Sequence, residues 1–208
     1  MIPVVAPYPM PAPPREGPAP WKPDPARCVL LIHDMQHYFV DRFDLSSSPG
    51  RELRANVSAL RAACLESGIP IRYTAQPGRM TRADRGLLHD VWGDGMTDED
   101  ASRGIVPWLA PAGLTEILTK WRYSAFFRTP LASTLRTLAR DQLIICGVFA
   151  HLGCLLTAAD AYAHDIEPFL VADAMADFTA ADHAMALDYA SRSCAATPTT
   201  ADVLADLT

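Results

Sequence analysis

Two short, strongly apolar runs constrain this fold more than any other feature of the chain: Cys28-Val29-Leu30-Leu31-Ile32 and, after its opening glutamine, Gln142-Leu143-Ile144-Ile145-Cys146. A strand with one face in water alternates apolar and polar residues. A strand without that alternation is covered on both faces, as in a parallel sheet layered between helices.

The rest of the chain alternates around these runs. Leu53, Val57, Leu60 and Cys64 recur at helical spacing, which predicts a helix over 51–67 ended by Gly68. A second strand is expected over 69–74 and a third over 115–121. Helices are expected over 130–139, 152–164 and 180–192, with a strand at 168–172 and a last short one near Cys194. Strands alternating with helices imply βαβ units with right-handed crossovers. The prediction is a Rossmann-like three-layer α/β/α sandwich with a parallel, about six-stranded sheet. The polar stretch from Gln76 to Gly113 is too long for a simple connection and reads as a lid or as a segment with helices of its own.

Ten of the 18 prolines fall within residues 1–25. Proline fixes φ and removes a donor, so this stretch is neither a helix nor a central strand. Tyr8, Met10 and Trp21 favour an extended arm over a disordered tail, since such tails are poor in large apolar residues. The expected organisation is an arm, residues 1–26, packed on one domain, residues 27–208. The formal net charge of −6 argues against a nucleic-acid partner, though not against a small anionic substrate held by a few local cations. No secretory signal is visible at the N-terminus, nor an apolar run of the ~20 residues that span a membrane. The five cysteines form no C-x-x-C pair, so reduced thiols in the cytoplasm are expected.

In sheets of this kind ligands bind beyond the carboxyl ends of the strands. Three strand ends are polar here: His33-Asp34-Met35-Gln36, Lys120-Trp121-Arg122-Tyr123 and the stretch from Gly147 to Cys154, which opens a helix. An Asp and a Lys at strand ends beside a helix start make an acid–base site with an anion-binding edge. Each residue also has an ordinary reading. Asp34 suits a turn, and Lys120 alone suits a solvated surface. His151 suits a helix start better than a base, and Trp92 and Trp121 suit packing. Arg79, Arg82 and Arg85 suit a solvated loop, of interest because that loop can cover the site. The chain has no GxGxxG or GxxxxGK phosphate loop, no HExxH and no His pair beside a carboxylate, so no nucleotide or metal site is indicated.

Several stretches in one order resemble the isochorismatases of the isochorismatase-like hydrolase superfamily. They are Leu-Leu-Ile-His-Asp-Met-Gln (30–36), Tyr-Thr-Ala-Gln-Pro-Gly (73–78), Leu-Thr-Lys-Trp-Arg-Tyr-Ser-Ala-Phe-Phe (118–127), Gly-Val-Phe-Ala-His-Leu-Gly-Cys (147–154), and the segments around Asp160-Ala161-Tyr162 and Pro168 to Ala174. The similarity covers nearly the whole chain, the arm included, and is strongest to the phenazine-pathway branch, which acts on 2-amino-2-deoxyisochorismate. The lid stretch 76–96 and the end of the chain at Thr208, which leaves no room for a carrier domain, point to the same branch.

The resemblance implies hydrolysis of an enolpyruvyl vinyl ether by acid catalysis from Asp34, with Lys120 as its catalytic partner and without cofactor or metal. It implies substrate contacts from Gln36, Phe39, Gln76, Arg85, Trp92, Tyr123, Phe149 and Gly153, the last leaving room for the substrate. It also implies a homodimer and a cis Val148–Phe149 peptide. Superfamily members that use a nucleophilic cysteine carry it where this chain has Gly153, one residue before Cys154. Those with a metal carry histidines where it has Gln76-Pro77-Gly78. Phe149 departs from the tyrosine usual in close relatives. The alternatives are an isochorismate hydrolase, an amide-cleaving cysteine hydrolase using Cys154, and a non-catalytic binding protein on the same fold.

Overall fold

The computed structural model describes residues 2–14, 17–111 and 117–207. Five parallel strands form its sheet: β1 (Cys28–His33), β2 (Ile71–Ala75), β3 (Ile117–Thr119), β4 (Gln142–Val148) and β5 (Glu167–Ala176), in the order β3-β2-β1-β4-β5. The third strand was expected from Thr115; residues 115 and 116 lie outside the described residues.

The period-2 rule divides the apolar strands between two cores. Leu30, Ile32, Ile144, Cys146, Phe169 and Val171 face one side. There they meet Leu53, Val57, Leu60 and Cys64 of α2 (Gly50–Glu66) and Val203 of α9 (Thr200–Asp206). The intervening Val29, Leu31, Leu143, Ile145, Leu170 and Ala172 face α6 (Leu131–Thr137), α7 (Leu155–Ala163) and α8 (Ala180–Ser193). With both faces covered, β1 and β4 are buried along their whole length, as their composition requires.

The sheet has five strands where about six were expected. The stretch after Cys194 contributes one parallel bridge, Ala196 to Phe169, and no strand. Pro198 cannot donate to a ladder, and Thr199 already begins the capping box of α9, accepting from Asp202 N–H while the Asp202 carboxylate accepts in return. β5 runs four residues beyond its expected end at Ala172. Asp173 is tolerated inside it because its carboxylate accepts from Thr200 N–H and Thr200 Oγ1, both at 2.7 Å.

The long segment after β2 does carry its own helices: α3 (Arg82–Arg85), α4 (Leu88–Trp92) and α5 (Asp100–Arg103), followed by a 3-10 turn at Pro107–Leu109. Its expected end at Gly113 lies outside the described residues. A short helix α1 (His37–Val40) follows β1. The helix expected from Leu152 begins instead as a π-turn, Ala150–Cys154, which runs directly into α7.

Ile2, Val5 and Tyr8 of the proline-rich stretch are buried. Val5 and Tyr8 donate backbone N–H bonds to the carbonyls of Arg42 and Ser48. The Tyr8 hydroxyl accepts from Asp177 N–H at 2.8 Å and lies 3.2 Å from the Asp177 carbonyl, to which it donates. None of the described helices is long and apolar enough to cross a membrane. Replacing Tyr8 by Phe strands the buried Asp177 N–H, and stability is expected to fall by about 1–3 kcal/mol. A denaturant midpoint equal to wild type would show that this anchor does not hold the arm.

Candidate active site

The chain winds from β1 through β2 to β3 in one direction and from β4 to β5 in the other, so the order reverses between β1 and β4. At such a switch point the carboxyl ends of the strands diverge and leave a crevice. Asp34 follows β1 there, Lys120 follows β3, and Phe149 and the π-turn follow β4. Asp34 has φ of 50°, a left-handed backbone that Asp tolerates better than most residues. The Val148–Phe149 peptide is cis.

Asp34 and Lys120 form a buried ion pair, Nζ to Oδ2 at 2.7 Å, with side chains only 5% and 1% exposed. The carboxylate is fully engaged. Oδ1 accepts from Thr74 Oγ1 at 2.6 Å, and Oδ2 accepts from Gln76 Nε2 at 3.1 Å. Lys120 is equally committed, its ammonium also donating to the carbonyls of Arg122 and Tyr123 at 3.0 and 3.3 Å. With Asp34 these account for its three protons. Burial pushes the Asp34 carboxyl up. The charge of Lys120, with the bonds from Lys120 and Thr74, outweighs it and holds the group below the usual carboxylate range.

The pair opens onto a cavity beyond the strand ends, the usual place for a ligand in a sheet of this kind. Gln76, Arg85 and Tyr123 line it beside the pair, and Phe39, Trp92 and Phe149 give it an aromatic wall. Phe149 stacks on Phe178 with ring centroids 4.1 Å apart and meets Phe39 edge-on at 5.9 Å. Trp92 Nε1 donates to the Tyr123 hydroxyl at 2.7 Å, which leaves the phenol proton to point elsewhere. Arg85 is 5% exposed. It donates to the Gly93 carbonyl, and burial pulls its pKa down. No carboxylate among the described residues forms an ion pair with it. A buried guanidinium without a counter-ion on a cavity wall is a site for an anion.

Nine of the ten expected site residues thus line one cavity; Gln36 does not. It is fully buried, its Nε2 donating to the carbonyls of Gln76 and Arg103 and its Oε1 accepting from Gln76 N–H. With both ends of its amide bonded to backbone, it fixes the strand end that carries Gln76. Lys120, read alone as a solvated surface residue, is buried. Gly153 lines the cavity, but the space of its missing side chain is filled by His33: a β-carbon there would lie 2.8 Å from both ring nitrogens. Cys154 is buried, and burial pushes its thiol well above its usual value, so it is no thiolate nucleophile.

Arg79 and Arg82 are exposed, Arg82 pairing with Asp90, while Trp121 is half-buried outside the cavity wall. His151 bonds Asp177 through Nδ1 at 2.7 Å, which raises its pKa. His151, Asp177 and Asp182 lie close enough to share an ion, but His151 already holds Asp177, and Asp182 accepts from Thr179 Oγ1 as a helix cap. Contributors that were not foreseen include Thr74, Phe178 and Ile2. Thr74, at the end of β2, was legible as a polar strand-end residue. Phe178 was hidden by the early stop assigned to β5, and Ile2 carries no local signal.

The family model described as the isochorismatase domain matches residues 28–202. The chain is 50% identical over 205 residues to phenazine biosynthesis protein PhzD1 of Pseudomonas aeruginosa, covering 98% of each. It is 49% identical to the isochorismatase of Bacillus subtilis, covering 99% of this chain and 67% of that one. In structure it resembles a cysteine hydrolase from Pseudomonas syringae, with TM-score 0.80, 22% identity, and 90% and 95% of the two chains covered. That last likeness speaks for the fold alone.

Removing one partner of a buried ion pair leaves an uncompensated charge. Lys120→Met is expected to lose about 3–5 kcal/mol of stability at pH 7. In the wild type the lowered Asp34 pKa contributes stability above the unfolded pKa that is lost as pH falls. In the variant burial is no longer opposed by the Lys120 charge, Asp34 takes up a proton more readily in the folded state, and the deficit relative to wild type shrinks toward acid pH. Denaturation curves at neutral and acid pH test this; a deficit that does not change with pH contradicts it.

Proposed function

The chain belongs to the isochorismatase family of hydrolases, and on that premise we propose that it cleaves the enolpyruvyl vinyl ether of 2-amino-2-deoxyisochorismate, giving trans-2,3-dihydro-3-hydroxyanthranilate and pyruvate. Asp34 is the acid, and no covalent intermediate forms. By the same premise the enzyme is a cytoplasmic homodimer that needs no cofactor or metal, with the arm of residues 1–26 forming one unit with the domain.

The observation that carries this reading is a buried carboxyl facing an enclosed cavity whose wall holds an unpaired guanidinium, while the nearby Cys154 thiol is buried and neutral. A vinyl ether needs a proton and a water, not a nucleophilic side chain. Asp34 delivers a proton to the terminal methylene, the double bond opens, and an oxocarbenium ion forms. Water adds to the ether-bearing carbon of that ion and returns a proton to Asp34, and the hemiketal collapses to pyruvate and the ring alcohol. Asp34 rests ionised beside Lys120. An anionic substrate that fills the cavity and displaces water disfavours that charge and draws the proton onto Asp34. Lys120 then stabilises the carboxylate left by proton transfer. Arg85 takes a substrate carboxylate, Tyr123 donates its free proton, and Phe39, Trp92 and Phe149 flank the ring.

A second reading, hydrolysis of isochorismate, is favoured by Phe149, which offers no hydroxyl to tell a ring amine from a ring hydroxyl. The broken bond is the same in both substrates, so discrimination rests on one or two hydrogen bonds, worth ~1–3 kcal/mol. The likeness of the lid stretch 76–96 to the phenazine-pathway branch sets the amino compound first.

Pyruvate release from each substrate tests the choice. The expected result is a higher kcat/KM for the amino compound; a value for isochorismate equal or higher assigns the second reading. Asp34→Asn keeps the shape and loses the proton, so kcat of the folded variant is expected to fall ~100- to 10,000-fold, with stability lowered by about 3–5 kcal/mol because Lys120 is left as a buried unpaired charge. A loss under about tenfold removes Asp34 from this role.

A further inference from the structure

His33 is a buried titratable group beside Asp34 that the reaction above does not use. It ends β1, is fully buried and sits in a slot formed by two glycines. Gly147, its register partner on β4, has φ of 113°, and a β-carbon there would lie 2.9 Å from the His33 backbone nitrogen and closer still to its carbonyl. Gly153 leaves the space that the imidazole fills.

The ring is bonded at both ends. Nδ1 lies 3.0 Å from the Val148 carbonyl, which only accepts, so Nδ1 carries the proton. Nε2 lies 3.4 Å from Thr157 Oγ1 on α7. The charged groups that reach the ring are Asp34, with Oδ1 3.8 Å from Nδ1, and Lys120. Burial is the largest influence and pulls the imidazole down to about 4, so it is neutral near pH 7. A neutral ring adds no second cation beside Asp34. It does bolt the end of β1 to the end of β4 and to α7 at the residue before Asp34, where the backbone turns left-handed.

We propose that His33 is a positioning residue for the reaction: seated in the space left by Gly153 and bonded to Val148, it fixes the direction in which Asp34 presents its carboxyl to the cavity. The inference rests on the reading of Asp34 as the acid. In that role a displacement of about 1 Å costs on the order of 100-fold in rate. Gly153 is then required because any side chain there evicts the ring, a demand distinct from leaving room for substrate.

The test uses the full-length protein and the variants His33→Ala, His33→Asn, Gly153→Ala and the double variant His33→Ala/Gly153→Ala. Asn retains a donor near the position of Nδ1. His33→Ala and Gly153→Ala are expected to lower kcat on the order of 100-fold with KM little changed, and His33→Asn to retain most of it. The Asp34 carboxyl, followed by 13C NMR through a pH titration, is expected to move from its wild-type titration in His33→Ala and Gly153→Ala and to stay in His33→Asn. Gly153→Ala is expected to lower Tm in the wild-type background and not in the His33→Ala background, where the β-carbon fits the vacated space. If Gly153→Ala does not fold alone, the double variant is expected to fold.

Wild-type kcat in His33→Ala, or an Asp34 titration unmoved by losing the ring, overturns the positioning role. Equal destabilisation by Gly153→Ala in both backgrounds, or a double variant that fails to fold, overturns the interlock. Absence of pyruvate from the wild type with either substrate overturns the proposed function alone, since the titration and Tm readouts need no substrate.

Discussion

The structure depends on a pair of opposite charges held out of water, Asp34 and Lys120. Each ion costs several kcal/mol to desolvate, and their attraction repays this only when the remaining lone pairs and protons are satisfied. Here they are, by Thr74 and Gln76 on the carboxylate and by two carbonyls on the ammonium. These partners stand at the ends of β1, β2 and β3 or just beyond. Only strands running parallel side by side bring those ends together. The order β3-β2-β1 on this side of the switch point is what brings these partners together.

The pair is neutral as a unit, so the charge of the cavity is set elsewhere. Arg85 supplies it, which reconciles a site for an anion with a chain of net charge −6. The acid and the anion site belong to different parts of the fold. Asp34 sits on the rigid sheet, while Arg85 sits on α3 in the segment that covers it. On the proposed reading, proton donation is thereby placed at a strand end and anion recognition in the covering segment.

Much of the architecture was legible because burial on both faces leaves a plain mark. β1 and β4 read as unbroken apolar runs, and α2 and α8 as helical periodicities. What failed did so locally. Asp173 interrupted an apolar run because it caps α9, and β5 was cut short with Phe178 behind it. Cys194 and Ala195 look strand-like, yet Pro198 and the capping box at Thr199 leave a single bridge. At the site, strand-end position pointed to Asp34 and Lys120. The burial of Lys120 was not readable, because its charge partner, Asp34, comes from a distant segment. Gln36 carried the polarity of a ligand-binding residue, but its amide is taken up by backbone, a commitment visible only in three dimensions.

The central claim is that the ether opens by protonation of its three-carbon unit, so that water adds there and the ring keeps its own oxygen. Turnover in water enriched in 18O, followed by mass spectrometry of the ring product, tests it most directly. The account predicts a ring hydroxyl without label. Label in that hydroxyl would mean that water attacks the ring carbon, and would contradict the account.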